Sequence, residues 1–388
     1  MINQIYQITL MNLKNMPSRL GSSSVIVVGI AGVVGVLVAI LAMAAGFTAT
    51  LQRGGSPDRA IILRGTSSTG ELSSSIDTRS MEYIRSLEGI ELASGELYLV
   101  VDIPKRSNQS PANLIIRGVE PDAFAIRPEV TIVEGRNFEP GRNEIIAGRG
   151  ANREFQGIDL GADVELRQSK WTIVGLFEAE GSAYESEIWT DMATAQSAFR
   201  MLGRVSSMRV KLTDASMIDA LAAEFEENPQ LNLSLTSEEE YFRNQSEGLT
   251  TVIETFGYAV AVIMAIGAVF AALNTMYAAV SSRTVEIATL RALGFGAAPV
   301  VISVMIESIV LAIFGGLLGA AIAYLGFNGY TVSTLNQGSF SQIAFDFAVT
   351  PELIRNGILW ALALGFFGGL FPALRAARLP ITLALRGE

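Results

Sequence analysis

The chain has 388 residues, half of them hydrophobic, and a formal net charge of −10. It contains no cysteine and no histidine, which excludes disulfides, thiolate metal sites, Ser-His-Asp catalysis and zinc sites of the HExxH type. Residues 54–247 hold 32 acidic and 19 basic side chains, a net charge of −13. This charge argues against a nucleic-acid partner and predicts an acidic solvated surface, with a basic partner or a cationic cargo as the alternative.

Residues 1–20 predict a short amphipathic helix ahead of the first hydrophobic stretch. Apolar side chains recur there at Ile2, Ile5, Ile8, Leu13 and Met16. We expect this helix to lie on the inner surface of the membrane. The alternative, that it forms the first turn of the following spanning helix, is less favoured because Pro17-Ser18-Arg19 interrupts the pattern.

Four stretches with almost no charge, one near the start and three near the end, predict membrane-spanning helices. A bilayer core requires about 20 apolar residues in helical form, and a helix satisfies its own polar backbone groups in lipid. The predicted spans are Ser24–Phe47, Val252–Ala278, Pro299–Phe327 and Leu353–Leu374. The first is too long and too uniformly apolar for a cleaved signal peptide, so we expect it to remain as an anchor.

Orientation follows from the short segments that flank the spans. Seven basic residues fall on one side of the membrane, namely Lys14, Arg19, Arg283, Arg291, Arg375, Arg378 and Arg386. The connection at 328–352, on the other side, has no basic residue. The positive-inside rule therefore predicts that both termini, the loop at 281–296 and the tail at 375–388 are cytoplasmic, and that the large segment 54–247 faces outward.

The outward-facing segment has the pattern of a mixed α/β domain. Its first and last thirds each show strand–helix–strand patterns, which predict two halves of one layered body. The predicted strands are Ala60–Arg64, Glu96–Ile103, Asn113–Val119, Met208–Leu212 and Leu231–Leu235, and the predicted helices are Ile76–Leu87 and Met217–Glu227. A strand-rich insert is predicted at about 120–205, with strands Ile132–Phe138, Glu144–Ala147, Asp163–Leu166 and Trp171–Phe177. The predicted fold class is a membrane α-helical protein with four transmembrane helices and an extracytoplasmic α/β domain inserted between the first two.

The acidic run Ser237–Tyr241 predicts the capped start of a helix that continues into the second span. After that span, Ser282–Leu293 predicts a short helix ended by Gly294. Apolar and charged side chains alternate along it, and both its ends are tied to spans. Such a helix suits docking into a groove on another protein; a solvated connector is the alternative that periodicity leaves open.

Glu307 is the only charged residue within the third span. A carboxylate at mid-bilayer costs about 3 kcal/mol, although Glu307 lies nearer the cytoplasmic end. We interpret it as a clamp on the loop helix, through backbone amides or Arg283. A snorkelling or self-satisfied side chain is the alternative, and a proton relay is disfavoured because no second acid or histidine lies deep in the membrane.

Small residues recur at four-residue spacing in three of the spans. They are Ala31, Gly35 and Ala39 in the first, Gly315, Gly319 and Ala323 in the third, and Gly365 and Gly369 in the fourth. This spacing allows helices to approach closely. We expect the packing to lie within one protomer, although the pattern also allows contact across a dimer.

The loop and its surroundings resemble MacB/FtsX-type ABC transporter permeases. The resemblance rests on Asn274-Thr275-Met276, Arg283, Glu286-Ile287 and Leu290-Arg291-Ala292-Leu293-Gly294, on Glu307 with Gly315-Gly316-Leu317-Leu318-Gly319, and on Pro372-Ala373-Leu374-Arg375-Ala376-Ala377-Arg378 with Ala384-Leu385-Arg386. Two outer segments, Glu134-Gly135-Arg136-Asn137-Phe138 and Trp171-Thr172-Ile173-Val174-Gly175, resemble the family's periplasmic core. The resemblance covers nearly the whole chain.

The resemblance implies a dimeric, multi-pass permease of the bacterial inner membrane, formed as a homodimer or a heterodimer, that works with a cytoplasmic ABC ATPase. ATP and Mg would be bound by that ATPase, and this chain would hold no cofactor, metal or catalytic residue. The loop helix would dock on the ATPase through Val285, Leu290 and Leu293, with Arg283, Glu286 and Arg291 as polar contacts. No GxxxxGK[ST] phosphate loop occurs in the chain, so we expect the ATPase to be a separate polypeptide.

The sequence leaves three functions open. The first is an exporter of substrate from the periplasm or outer leaflet, with a membrane-fusion adaptor and an outer-membrane channel as further partners. The second is a lipoprotein- or lipid-extracting permease, and the third is a signal transmitter that activates a cell-wall hydrolase. The size of the outer domain favours the first two.

Overall fold

The computed structural model describes residues 2–14, 20–65, 70–228, 231–336 and 339–378. Expectations for residues 15–19, for Arg386 and for the tail at 379–388 fall outside the described residues. The structure forms two compact units. The helical unit comprises the described parts of Met1–Ala45, Val252–Tyr330 and Phe347–Glu388, and the sheet unit comprises those of Gly46–Thr251 and Thr331–Asp346.

The described helices are numbered in chain order. They are α1 Ile2–Lys14, α2 Leu20–Gln52, α3 Thr78–Ser86, α4 Ala123–Ile126, α5 Arg149–Glu154, α6 Met192–Phe199, α7 Met217–Glu227, α8 Glu238–Ser282, α9 Thr284–Ala292, α10 Ala297–Phe327 and α11 Pro351–Ala377. Among the described residues, four helices are long and apolar enough to cross a membrane, namely α2, α8, α10 and α11. Each predicted span lies within one of them, which confirms the predicted four-helix pattern.

Helix α8 begins at the acidic run and continues without interruption to the end of the second span. It has 45 residues, and its first turn holds three glutamates. The backbone N–H of Glu240 donates to Oγ of Ser237 at 3.2 Å, which satisfies one of the free amides at the helix start. The negative charges also lie at the positive end of the helix dipole. The predicted continuous helix is therefore confirmed.

Small residues bring the spanning helices of the helical unit close together. A Cβ added at Gly319 of α10 would stand 2.5 Å from the backbone oxygen of Ala31 in α2. A Cβ added at Gly365 of α11 would stand 2.5 Å from the Cβ of Ala312 in α10. The hydroxyl of Ser308 donates to the backbone oxygen of Gly365 at 2.7 Å across the same contact. These contacts join helices of the same chain.

The same packing includes the other two glycines of these stripes. A Cβ at Gly315 would stand 2.9 Å from the Cβ of Ile30 in α2, and one at Gly369 would stand 2.6 Å from the Cβ of Ser308 in α10. Helix α10 therefore contacts α2 through one set of small residues and α11 through another. Backbones this close gain dispersion contacts that larger side chains would prevent.

The sheet unit contains one ten-stranded sheet. The described strands are β1 Arg59–Arg64, β2 Ile76–Asp77, β3 Ile90–Pro104, β4 Pro111–Val119, β5 Thr131–Gly135, β6 Glu144–Gly148, β7 Asp163–Leu166, β8 Ser169–Glu178, β9 Glu187–Asp191, β10 Arg204–Val205, β11 Ser207–Leu212, β12 Leu233–Ser237, β13 Thr331–Asn336 and β14 Ser341–Asp346. Strands β2 and β10 form a separate two-stranded sheet, and β13 and β14 form a hairpin. The sheet runs β12-β1-β11-β3-β4-β9-β6-β8-β5, and β7 pairs with β8. The pairs β4–β9 and β6–β8 are parallel and the others in this sheet are antiparallel. The predicted α/β domain is confirmed.

The strand-rich insert continues the main sheet. Strand β4 pairs with β9 in parallel, with Ile116 opposite Ile188, and β6 and β8 follow on the far side of β9. Two apolar cores cover the sheet. One includes Ile62, Ile84, Leu97, Val210 and Phe225, and the other includes Ile116, Phe155, Trp171, Ile173 and Ile188.

Several element boundaries differ from the predictions. Helix α3 starts at Thr78, not at Ile76, because the carboxylate of Asp77 caps it by accepting from the N–H of Ser80. Strand β5 stops at Gly135, short of the predicted end at Phe138. Gly135 has φ +76° and lies so close to β8 that an added Cβ would stand 2.3 Å from the backbone oxygen of Val174. This turn requires glycine, and it ends the strand.

The connection between the third and fourth spans forms a hairpin, β13–β14, that the sequence analysis treats only as a short loop. Lys105 Nζ donates to Ser333 Oγ and to Gln342 Oε1, each at 3.1 Å. Asn113 Nδ2 donates to the backbone oxygen of Phe340 at 2.7 Å. The hairpin is therefore bonded to the β3–β4 part of the sheet unit.

Candidate functional site

The predicted loop helix is present as α9. Only Arg283 separates it from α8, and Gly294 follows it with φ +95°, a left-handed conformation that ends a helix. The observed bounds, Thr284–Ala292, lie within the predicted Ser282–Leu293. A helix confined between two spanning helices in this way has little freedom to move apart from them.

The side chains of α9 divide into an inward and an outward set. Ile287 and Ala288 are buried, and half-buried Leu290 packs against the core of the helical unit. Val285 and Glu286 are exposed, and Leu293 is 73% exposed. Leu290, one of the three predicted apolar docking residues, is therefore turned toward the protein's own core more than Val285 and Leu293 are, and its role in docking stays a prediction. The outward apolar residues are Val285 and Leu293.

The other predicted polar residues of the loop occupy different environments. Arg291 is half-buried, whereas Glu286 is exposed and lies beside the cleft next to α1. Arg283 is buried, at 5% exposure. An arginine this deeply buried needs a carboxylate partner, and the third span supplies one.

Arg283 and Glu307 form a two-point ion pair. Nη1 of Arg283 donates to Oε2 of Glu307 at 3.0 Å, and Nη2 donates to Oε1 at 3.1 Å. Glu307 is 6% exposed. Parallel bonds of this kind are among the stronger hydrogen bonds in proteins. The pair links the α8–α9 junction to α10. Of the two partners considered for Glu307, backbone amides and Arg283, the structure contains Arg283.

The first helix lies beside the same loop. Helix α1 packs against α10 through Ile8, which is buried in the core of the helical unit. Ile8 and Met11 line a cleft of about 460 Å³ together with Glu286, Leu290 and Glu307. A helix is thus present at Ile2–Lys14 within the predicted segment 1–20, with Ile8 covered by protein; its position on the inner membrane surface stays a prediction.

The sheet unit contains a buried network of charged residues that the sequence analysis does not predict. Four arginines and four glutamates, each at most 6% exposed, belong to it: Arg59, Glu71, Glu96, Arg117, Arg127, Glu187, Arg209 and Glu238. Arginines and glutamates are rarely buried unless they are paired. Strand positions such as Arg117 and Arg209, which interrupt apolar runs, are the signal that could have indicated it.

Arg117 is bonded to three of these glutamates. Its Nε and Nη2 donate to the two carboxylate oxygens of Glu187 at 2.7 Å each, and its Nη1 donates to Glu96 at 2.7 Å and to Glu71 at 2.8 Å. Burial alone would raise the pKa of Glu71, but the charges of Arg117 and Arg209 outweigh it and lower the pKa to about 2. Glu71 is therefore ionised at neutral pH despite its burial.

The network ends at the first residue of α8. Nη1 of Arg209 donates to Oε1 of Glu238 at 2.8 Å, and Nε of Arg59 lies 2.9 Å from Oε2. The hydroxyl of Tyr241, one turn further along α8, donates to Glu71 at 3.5 Å. The start of α8 is thus fixed to β1 and β11 by charges removed from water, where pairing is strong and loss of one partner is costly.

Two protein-family models match this sequence. The MacB-like periplasmic core domain matches residues 23–228, more than half of the chain, and the FtsX-like permease C-terminal matches residues 258–381. The second match contains α9, Arg283 and Glu307. The first contains most of the buried ion-pair network.

The individual proteins that are similar to this chain share only a modest fraction of its sequence. The chain is 24% identical over 299 residues to a macrolide export ATP-binding/permease protein MacB of Bdellovibrio bacteriovorus, covering 71% of this chain and 44% of that protein. It is 26% identical over 288 residues to the lipoprotein-releasing system transmembrane protein LolC of Xylella fastidiosa, covering 65% of this chain and 67% of that protein. The crystal structure of the periplasmic region of MacB from Actinobacillus actinomycetemcomitans aligns with a TM-score of 0.37 at 11% identity, covering 48% of this chain and 92% of that one.

The chain spans less than half the length of the MacB relatives it matches. The first model covers the first span and most of the sheet unit, and the second covers part of the second span and all of the third and fourth. Four apolar spanning helices accompany them, so the protein is a multi-pass membrane protein of the inner membrane. The chain belongs to the MacB/FtsX-type family of ABC transporter permeases.

Proposed function

We propose that this chain is the non-catalytic permease subunit of an ABC transporter and that a separate cytoplasmic ATPase drives it. ATP and Mg would be bound by that partner. The motion would serve export of substrate from the periplasm or the outer leaflet. The observation that carries the proposal is α9, a helix fixed at both ends, with exposed apolar residues at Val285 and Leu293 and a buried anchor at Arg283–Glu307.

Orientation in this proposal follows from charge. Basic residues Arg283, Arg291, Arg375 and Arg378 lie in the described segments flanking α9 and following α11. The connection between α10 and α11 has none. The positive-inside rule supports a cytoplasmic α9 and an outward sheet unit.

The path of the motion would start at α9. Arg283 joins α9 to α8, and α8 is a single helix from Glu238 to Ser282. A helix transmits displacement along its axis because its backbone hydrogen bonds resist stretching. At its far end, Glu238 is held in the ion-pair network by Arg59 and Arg209. A displacement at α9 would thus be passed to strands β1 and β11.

A second candidate cargo comes from the similarity to LolC, a transmembrane protein of a lipoprotein-releasing system. That relative is covered over two thirds of its length, more than the MacB relatives. An acylated protein taken from the outer leaflet is therefore the alternative to a soluble or amphiphilic export substrate. The two candidate functions use the same subunit arrangement, two permease protomers with the ATPase. They differ in the cargo that the outer domain would bind.

The test is a detergent pull-down of the tagged chain followed by mass spectrometry. We expect it to recover a separate ABC ATPase. Leu293→Asp should release the ATPase, because a charge at the centre of an apolar contact is costly to bury. Leu202→Asp is the matched control, since Leu202 is an equally exposed leucine, at 74%, in the sheet unit. Retention of the ATPase by Leu293→Asp at the level of the control would contradict docking through α9.

A further inference from the structure

A polar cleft lies entirely within the sheet unit, away from α9. Two arginines line it: Arg53, which follows α2, and Arg153 of α5. Within the part of the chain that the structure describes, neither guanidinium has a hydrogen-bond or ion-pair partner. Both guanidinium groups are therefore available to a ligand in the cleft.

A buried donor lies in the same cleft. Ser182 is 1% exposed, and its hydroxyl has no hydrogen-bond partner among the described residues. Nη1 of Arg53 is close by, since a Cβ added at the neighbouring Gly181 would stand 3.0 Å from it. An unsatisfied buried hydroxyl costs free energy unless a ligand or water bonds to it. The hydroxyl and the guanidinium of Arg53 can bond to one ligand.

The three acidic residues that line the cleft each accept a hydrogen bond from the protein or form an ion pair with it, and Glu154 alone among them has a cationic partner in the described residues. Glu185 accepts from the backbone N–H of Ala179 and of Gly181, each at 2.8 Å. Glu154 pairs with Lys105 at 2.9 Å, and Asp346 accepts from the hydroxyl of Thr331. The donors without partners in this cleft are therefore Arg53, Arg153 and Ser182, which together favour an acceptor-rich anion.

We propose that this cleft binds a phosphate group, presented as the headgroup of a phospholipid. The guanidinium fork matches phosphate oxygens in geometry and charge. The chain itself supports a lipid as the source. Arg53 is the residue after the end of α2, Thr331 lies a few residues after α10, and Asp346 lies a few residues before α11. Residues this close to the ends of spans lie near headgroup depth.

The test is native mass spectrometry of the full-length chain in detergent. The probes are dioctanoyl phosphatidylglycerol, dioctanoylglycerol with the same acyl chains and no phosphate, and glycerol 3-phosphate. We expect the phospholipid to be retained at least about tenfold more than dioctanoylglycerol, from two charge-assisted contacts. The variant Arg53→Gln/Arg153→Gln should lose this preference. Both side chains are exposed, so the substitutions leave the fold intact.

The matched control is Arg79→Gln, which removes an exposed arginine outside the cleft and should leave retention unchanged. Ser182→Ala should weaken retention by a smaller factor than the double variant. Binding of glycerol 3-phosphate without retention of the phospholipid would overturn the lipid source and identify a soluble phosphate ester. Equal retention of phospholipid by the double variant and the wild type would overturn the site.

Discussion

Arg209 of strand β11 donates a 2.8 Å hydrogen bond to Glu238, the first residue of the helix that becomes the second span. Both side chains are fully buried. The pair joins the sheet to the first residue of α8, a helix of 45 residues. It is therefore both a structural contact and, in the proposed function, the end of the path that starts at α9.

Arg209→Met should destabilise the sheet unit by about 3–5 kcal/mol, because it leaves Glu71 and Glu238 short of a buried positive partner. Hydrogen exchange should rise in β11 and in the first turns of α8. Arg142→Met is the control, since Arg142 pairs with Glu139 on the surface and such pairs contribute about 0–1 kcal/mol. Equal effects of the two substitutions on thermal unfolding would contradict a structural role for the network.

The pKa of Glu71 predicts how stability depends on pH. The ordinary pKa is 4.5, and the folded protein lowers it to about 2. A lowered folded-state pKa contributes stability above pH 4.5, and this contribution is lost as the pH falls from 4.5 to about 2. Thermal unfolding of the full chain should therefore shift to lower temperature across that range. Glu71→Gln should be less stable at neutral pH and should lose less stability on acidification. The exposed Glu82→Gln should follow the wild-type curve at every pH.

The Arg283–Glu307 pair predicts a non-additive pair of substitutions. Arg283→Met or Glu307→Leu alone leaves one buried group without its partner, whereas Arg283→Met/Glu307→Leu replaces both charges with apolar groups. We expect the double variant to be more stable than the sum of the single effects predicts, with a coupling energy of about 1–3 kcal/mol. Chemical or thermal unfolding in detergent measures it. Simple additivity would indicate that the two side chains act independently.

Gly319 and Gly326 both lie in α10 but in different surroundings. A Cβ at Gly319 would stand 2.5 Å from the backbone oxygen of Ala31, whereas one at Gly326 would meet nothing within 4 Å. Gly319→Leu should therefore destabilise the helical unit by about 1–3 kcal/mol through overpacking. Gly326→Leu, with the same change in size and helix propensity, should be neutral or slightly stabilising. Comparable losses in both variants would indicate that α10 does not pack on α2 through Gly319.

Several features follow from the sequence because local patterns determine them. They are the four spans, the α/β character of the segment between the first two spans, and helix α7. Charge-free runs predict the spans, and the acidic run predicts the start of α8. The boundary at α3 was less predictable, since Asp77 caps the helix only once Ser80 lies within hydrogen-bond distance. The hairpin β13–β14 was missed because its short alternating strands are bounded by spans that dominate the local hydropathy.

The candidate site was predicted in part. Glu307 stood out because a carboxylate in a span is costly, and the structure places Arg283 against it. The packing of Leu290 against the core of the helical unit was not predicted, because nine residues of helix do not determine which apolar side chains meet the protein's own core. The ion-pair network was indicated only by single charged residues such as Arg117 and Arg209 within apolar strands. Which of them meet could not be predicted, since the members come from strands, helices and turns far apart along the chain.

The sequence by itself determined where the chain crosses the membrane, which segment lies between the first two spans, and which family the chain resembles. These depend on local hydropathy, charge and short motifs. Only the tertiary structure decided which charges are buried together. Glu238, Arg59 and Arg209 are distant in sequence and meet because β1 and β11 pair beside the start of α8. Burial then makes each charge depend on its partner, since removal from water is offset only by close pairing.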